Sequence, residues 1–151
     1  MKVNGITITA NTTSSEHSAY GIEDAWGGYI LKATIDADYG IYVSASGDDG
    51  LFIGSAEETC GTIKVTNSNG VATGIKVGNG KVTFNSCSSG GVTLDVDATG
   101  SYNAVGILNE SGVVTINGGT IDAGAVNGTA VGIGDSAVNE LTVTGGAIIA
   151  N

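Results

Sequence analysis

Short apolar runs return along this chain at an almost constant interval, and that periodicity restricts its fold more than any other feature. GITITA (5–10), ATIDA (33–37), TIKV (62–65), VTLDV (92–96), TIDA (120–123) and AIIA (147–150) centre on Ile8, Ile35, Ile63, Leu94, Ile121 and Ile148. The intervals are 27, 28, 31, 27 and 27 residues. Two further runs recur within each unit. One carries a Gly-Ile pair: YGI (20–22), YGI (39–41), TGI (73–75), VGI (105–107) and VGI (131–133). The other reads YIL (29–31), LFI (51–53), VTF (82–84), VTI (114–116) and LTV (141–143). All are rich in β-branched residues and alternate apolar with polar positions, the period of a strand with one buried face. No apolar stripe at helical spacing is present, and the abundant Gly, Thr and Val are poor helix formers. No connection has the room or pattern for a crossover helix, which excludes a βαβ fold.

Three short strands per unit, repeated in register, describe a β-solenoid in which equivalent strands pair in parallel about 4.8 Å apart. One interior ladder is expected from Ile8, Ile35, Ile63, Leu94, Ile121 and Ile148. A second is expected from Ile22, Ile41, Ile75, Ile107 and Ile133. One coil could not bury such a core alone; stacking supplies it. Glycine pairs at 118–119 and 145–146 sit where the chain must bend between two strands. The longer segments GSAEETCG and NSCSSGG, before the third and fourth repeats of the first run, read as corner loops.

The pattern x-V-G-I … V-T-I-x-G-G-T-I-D-A resembles the Gly-rich repeats of large bacterial surface proteins, adhesins and autotransporter-like passengers. The resemblance spans essentially the whole chain and is cleanest from residue 104 onward. It implies an all-β, right-handed parallel β-helix: a three-stranded β-solenoid of about five coils of ~27 residues. Residues 1–151 then form a single solenoid domain, a short member of the group or a segment of a longer repeat protein. It also implies a non-enzymatic structural or adhesive role at a cell surface or outside the cell.

Charge narrows the partners. The net charge is −10, and the five basic residues are all Lys. Phosphate-rich partners are attracted by clustered Lys and Arg, so nucleic acid and anionic membrane surfaces are excluded. No apolar run approaches the roughly 20 residues of a membrane-spanning helix, so no membrane insertion is expected. The opening MKVNGITITA has no long apolar segment of the kind that marks a secretion signal.

Several constellations invite chemistry. KVGNGKV (76–82) superficially suggests a phosphate loop, but Gly74 and Gly80 are spaced wrongly and Val82 follows Lys81. Asp36, Asp95 and Asp122 are expected in one outward column with Thr9, Lys64 and Ile149. Polysaccharide-cleaving β-helix enzymes use outward acids, yet the lyases among them also need a basic group, commonly Arg, and this chain has none. Asp36–Asp38, Asp95–Asp97 and GDDG (47–50) offer oxygens for an incidental Ca²⁺, although no calcium-binding nonapeptide repeat is present. His17 is the only histidine, which leaves no His-based metal site or Ser-His-Asp triad. No cofactor is expected.

Two binding alternatives remain open. Tyr20, Trp26, Tyr29, Tyr39, Tyr42 and Phe52 gather early in the chain, either to stack on sugar rings or to plug the N-terminal end of the core or pack against an inserted loop. Trp26, Tyr29 and Tyr42 are the candidate glycan contacts. Thr7, Thr34, Thr62, Thr93 and Thr120 are expected in one outward rank, with Thr83, Thr115 and Thr142 in another. Such ranks resemble ice-binding faces, with Thr93 and Thr120 as candidates, although Thr is also an ordinary exposed strand residue. Cys60 and Cys87 fall in corresponding loops of successive coils, within reach of a disulfide. The first and last repeats lack a capping helix, so flanking repeats or end-to-end self-association are the expected partners.

Overall fold

A computed structural model describes residues 1–10, 18–24, 27–44, 50–135 and 140–151. Trp26, His17 and the GDDG aspartates lie outside the described residues. Among the described residues every regular element is a strand, and the strands stack as a parallel β-solenoid of about five coils.

Three faces build each coil. Face 1 stacks residues 6–9 and 33–36 under Thr62–Asn67, Thr93–Ala98, Thr120–Ala125 and Ala147–Ala150. Face 2 stacks Tyr20–Asp24, Tyr39–Val43, Ala72–Val77, Ala104–Asn109 and Ala130–Asp135. Face 3 stacks residues 2–3 and 28–30 under Leu51–Ile53, Lys81–Phe84, Val113–Ile116 and Glu140–Val143. Faces 3 and 1 join into one ten-stranded sheet, because the strands Lys2–Thr9 and Gly28–Asp36 run through the corner between them. At later corners the turn breaks the strand. Gly119 and Gly146 there adopt φ of 85° and 97°, a left-handed backbone that a side chain would oppose.

The register corrects the ladders read from sequence. Ile35 lies opposite Val65, not Ile63, and Ile63 lies opposite Ala33. The first interior ladder is therefore Ile6, Ala33, Ile63, Leu94, Ile121 and Ile148, beside a second of Ile8, Ile35, Val65, Val96, Ala123 and Ala150. The period from Ala33 to Ile63 is thus 30 residues rather than 28. A two-residue slip leaves every inward residue inward, so alternation alone does not detect it. The face 2 ladder runs through Ile22, Ile41, Ile75, Ile107 and Ile133, as the spacing predicts.

The slip also redistributes the surface. Thr7 and Thr34 continue into Lys64, Asp95, Asp122 and Ile149. Thr62, Thr93 and Thr120 form a separate, shorter rank that ends at Ala147. The expected five-membered Thr rank is thus two pieces on different ladders. Asp36 leaves the Asp95–Asp122 column and faces Thr66, which faces Asp97.

The Gly-Ile motif has a steric cause. Its glycine points into the core, where face 1 side chains press against the bare backbone. A Cβ on Gly74 would lie 2.6 Å from Val96 Cγ2 and 2.6 Å from the Gly106 carbonyl oxygen. On Gly106 it would lie 2.4 Å from Ile121 Cγ2 and 2.4 Å from the Gly132 oxygen. Both distances are far inside van der Waals contact. Gly21 and Gly40 meet Ile35 and Val65 in the same way, and Gly132 meets the Ile148 side chain. Around this contact the interior is almost wholly aliphatic, with Phe84 its one large aromatic among the described residues. Of the buried polar residues among those described, Asp24, Asn67 and Asn109 end their strands at corners, and Thr73 lies within a face 2 strand. Asn109 bridges to Gly112 through both its amide atoms, at 3.2 and 3.0 Å. Asn67 ties Asp38 and the Val71 carbonyl, each at 2.9 Å.

Overpacking of a filled core typically costs 1–3 kcal/mol, and a backbone carbonyl cannot rotate away as a side chain does. Gly74→Ala and Gly106→Ala should each destabilise the fold by about 2–3 kcal/mol in urea unfolding. Gly134→Ala, where the nearest atom to the new methyl is 3.5 Å away, should change stability by less than about 1 kcal/mol. Equal effects at all three positions would contradict the close-approach account.

Candidate functional site

The outward surface of face 3 changes character along the axis. Its central position reads Thr142, Thr115 and Thr83, then Phe52, Tyr29 and Lys2. Pleating sends these side chains to solvent on one line. Tyr29 and Phe52 stack with ring centroids 5.2 Å apart and planes 19° from parallel, and Tyr29 remains 43% exposed. Two residues further along, the same strands deliver a row of polar side chains. Asn117 Nδ2 donates to Asn85 Oδ1 at 3.3 Å, and Thr144 Oγ1 donates to Asn117 Oδ1 at 2.9 Å.

The corner beside this floor carries the two insertions, residues 54–61 and 85–92. The second forms its own antiparallel ribbon, Ser86–Cys87 against Gly90–Gly91, which the sequence reading treats only as a loop. A disulfide joins Cys60 to Cys87, with Cα atoms 5.9 Å apart. Ser88 N donates to the Glu58 carbonyl at 3.1 Å, and Lys2 Nζ pairs with Glu58 Oε1. A covalent bond, a backbone bond and an ion pair thus fix the first insertion as a wall beside the aromatic floor. Between wall and floor lies an open groove of about 460 Å³, reached by Tyr29, Phe52, Ser55, Glu57, Asn85 and Asn117. That volume falls within the range of small-molecule sites.

The early aromatics that are described do not form one patch, and they do not plug the core. Tyr42 is on face 2, where Tyr20 stacks on Tyr39 and Tyr42 at centroid distances of 5.2 and 4.9 Å. Lys76 caps that cluster, 4.8 Å from the Tyr39 ring centre and 3.3 Å from Glu110. Tyr29 and Tyr42 therefore serve different surfaces. Thr93 and Thr120 are neighbours on face 1, flanked by charge rather than by a flat uncharged plane.

Asp38, Asp95, Asp97 and Asp122 are engaged in contacts between coils or at a corner. Asp95 and Asp122 do lie opposite one another, but Lys64 sits beside them, 2.9 Å from Asp97 and 3.5 Å from Asp95. Asn151 Nδ2 reaches Asp122 at 3.2 Å. Asp38 braces a corner, accepting from Asn67 at 2.9 Å and from the Ala19 amide at 2.8 Å. Among the described residues no three His, Cys, Asp or Glu side chains converge on a metal-binding geometry. Likewise no described helix is long and apolar enough to cross a membrane.

No family model, curated protein or solved structure matches the chain.

Two outcomes follow from these contacts. A disulfide closing a ring of 27 residues stabilises by about 3.5 kcal/mol in the chain-entropy picture. The double variant Cys60→Ser/Cys87→Ser should lose about that much in denaturant unfolding. Separately, the hydrogen bond to Asp97, then the charges of Asp97 and Asp95, lift the Lys64 pKa above its ordinary 10.5. A cation with a raised pKa contributes stability that is present below 10.5 and lost as pH rises through the raised value. Because the pair is half exposed the effect is small. The stability gap between wild type and Lys64→Met should be visible at neutral pH and close in strongly alkaline buffer.

Proposed function

We propose that the chain is a rigid, non-enzymatic β-solenoid module of a bacterial cell-surface or secreted protein, acting as a spacer that displays adhesive features at its corners. The observation that carries this reading is the register of the parallel ladders, continuous within each face and shifted, among the described residues, at the first corner between Val3 and Ile6. Face 1 keeps its pairing from Ile6 to Ile148, and faces 2 and 3 keep theirs beside it. A rod stiffened along its whole length by backbone hydrogen bonds suits holding something at a distance. The elaboration lies in the corner insertions, which is where solenoids accommodate variation without disturbing the stack.

Location is supported by the disulfide, since such bonds persist in oxidising compartments. Partners along the axis are supported by the last rung. Leu141, Val143 and Ile148 are exposed there and present aliphatic side chains beside unpaired strand edges, the surface on which a further coil stacks. Flanking repeats or a second copy would supply it.

The test is made in the cells that produce the protein. Maleimide added to intact, unreduced cells should leave Cys60 and Cys87 unlabelled, and externally added protease or antibody should reach the module. Free thiols at both positions, with the protein sheltered from external reagents, would sink the surface assignment.

A further inference from the structure

The groove on face 3 is more specific than a spacer needs. We propose that it is a binding site for a neutral saccharide chain, lying along the solenoid axis over Tyr29 and Phe52 and reaching the amides of Asn85 and Asn117. Its biological meaning rests on the module reading above; its geometry does not.

Three independent observations converge here. The first is the floor. On the three later rungs the same outward position is filled by Thr, which suits an exposed strand, and on the first by Lys2; between them, opposite the wall, stand two stacked aromatic rings. A pyranose ring presents axial C–H bonds of slight positive character, which pack against the negative face of an aromatic ring. Tyr29 keeps 43% of its surface open to receive such a partner, although its apolar face loses nothing by being covered.

The second is the polar row. The Asn117 amide spends one donor on Asn85 Oδ1, and Asn117 Oδ1 accepts from Thr144. Among the described residues no protein acceptor takes the Asn85 Nδ2 hydrogens. Ser55, Ser86 and Glu57 complete the polar lining. Amide, hydroxyl and carboxylate groups beside an apolar plate match a ligand whose edges carry hydroxyls and whose faces carry C–H. Tyr29 to Asn117 spans three rungs of the ladder, about 14 Å, so the site suits an elongated chain more than a single ring.

The third is rigidity. The wall is held by the Cys60–Cys87 bond, by Ser88 N on the Glu58 carbonyl and by the Lys2–Glu58 pair. A site whose wall is fixed before binding avoids the ordering cost that otherwise offsets weak contacts. Charge sets the class. Glu57 lines the groove and the chain carries −10 overall, which disfavours sulfated or uronic polymers and favours uncharged sugars.

The probes are cellotetraose, xylotetraose, mannotetraose and chitotetraose, with a heparin tetrasaccharide as the anionic control. Titration into the ¹⁵N-labelled chain, followed by NMR, should move the amide signals of Tyr29, Phe52, Asn85 and Asn117 with at least one neutral sugar and none with heparin. Phe52→Thr extends the Thr rank of Thr83 and keeps the strand, so it should fold with an unchanged circular dichroism spectrum. It should weaken binding at least roughly tenfold, as losing one stacked face implies. Asn85→Ala should weaken it independently, and Tyr42→Thr on face 2 should leave it unchanged. The proposal is overturned if all four neutral sugars leave the spectrum unmoved at millimolar concentration. Binding that survives in folded Phe52→Thr and Asn85→Ala, or that is confined to heparin, overturns it equally. Any of these failures with a surface-exposed, disulfide-bonded module in cells refutes the groove and leaves the spacer standing.

Discussion

Everything in this solenoid depends on how closely face 1 approaches face 2. The glycine of each Gly-Ile pair contributes no side chain, and an Ile, Leu or Val from face 1 fills the space against its backbone. The interior is therefore only about one layer of aliphatic side chains thick. A thin core of that kind is filled completely by residues of middling size, which is why the large buried side chains are nearly all Ile and Leu. It also explains the placement of aromatic rings. With Phe84 as the exception among the described residues, rings have no room inside and stand on the outer faces.

Much of this was legible in the sequence, and the rest was hidden for definable reasons. The three runs per unit and the face 2 ladder followed from spacing, because a Gly-Ile pair is an unambiguous marker of register. Face 1 lacked such a marker. Its inward positions are aliphatic two residues apart, as in Ala33 and Ile35 or Ile63 and Val65, so matching isoleucine to isoleucine chose the wrong pairing by two. The true pairing sets small against large, Ala33 beside Ile6 and Ile63. The rung formed by Lys2 and Val3 was too short to show any period.

The candidate site was legible only in fragments. Tyr29 was visible as an aromatic near polar loops, and Cys60 and Cys87 as residues of matching loops. The aligned runs LFI, VTF and VTI set Phe52 in register with Thr83 and Thr115, and Asn85 and Asn117 two residues beyond. What spacing did not show is the wall that the disulfide-linked insertion raises beside them. Tyr42, by contrast, looked equivalent to Tyr29 and belongs to another face. A solenoid turns one strand position into a column, so a surface site is spelled at intervals of one coil. Reading it requires the register first, and the register was where face 1 misled.

The Cys60–Cys87 bond has a consequence under load. Its ends lie one coil apart, so it closes a covalent ring around a full turn of the solenoid, residues 60 to 87. A pull along the axis that peels coils from either end can lengthen the chain only up to that ring. The residues within it, about 90 Å of extended backbone, stay out of the stretch while the bond is intact. The ring encloses Lys81–Phe84 and begins at the wall of the groove. Tension would strip the open coils, those that carry Tyr29 and Phe52 among them, and stop at the ring, so the groove would lose its floor while residues 60 to 87 stayed linked.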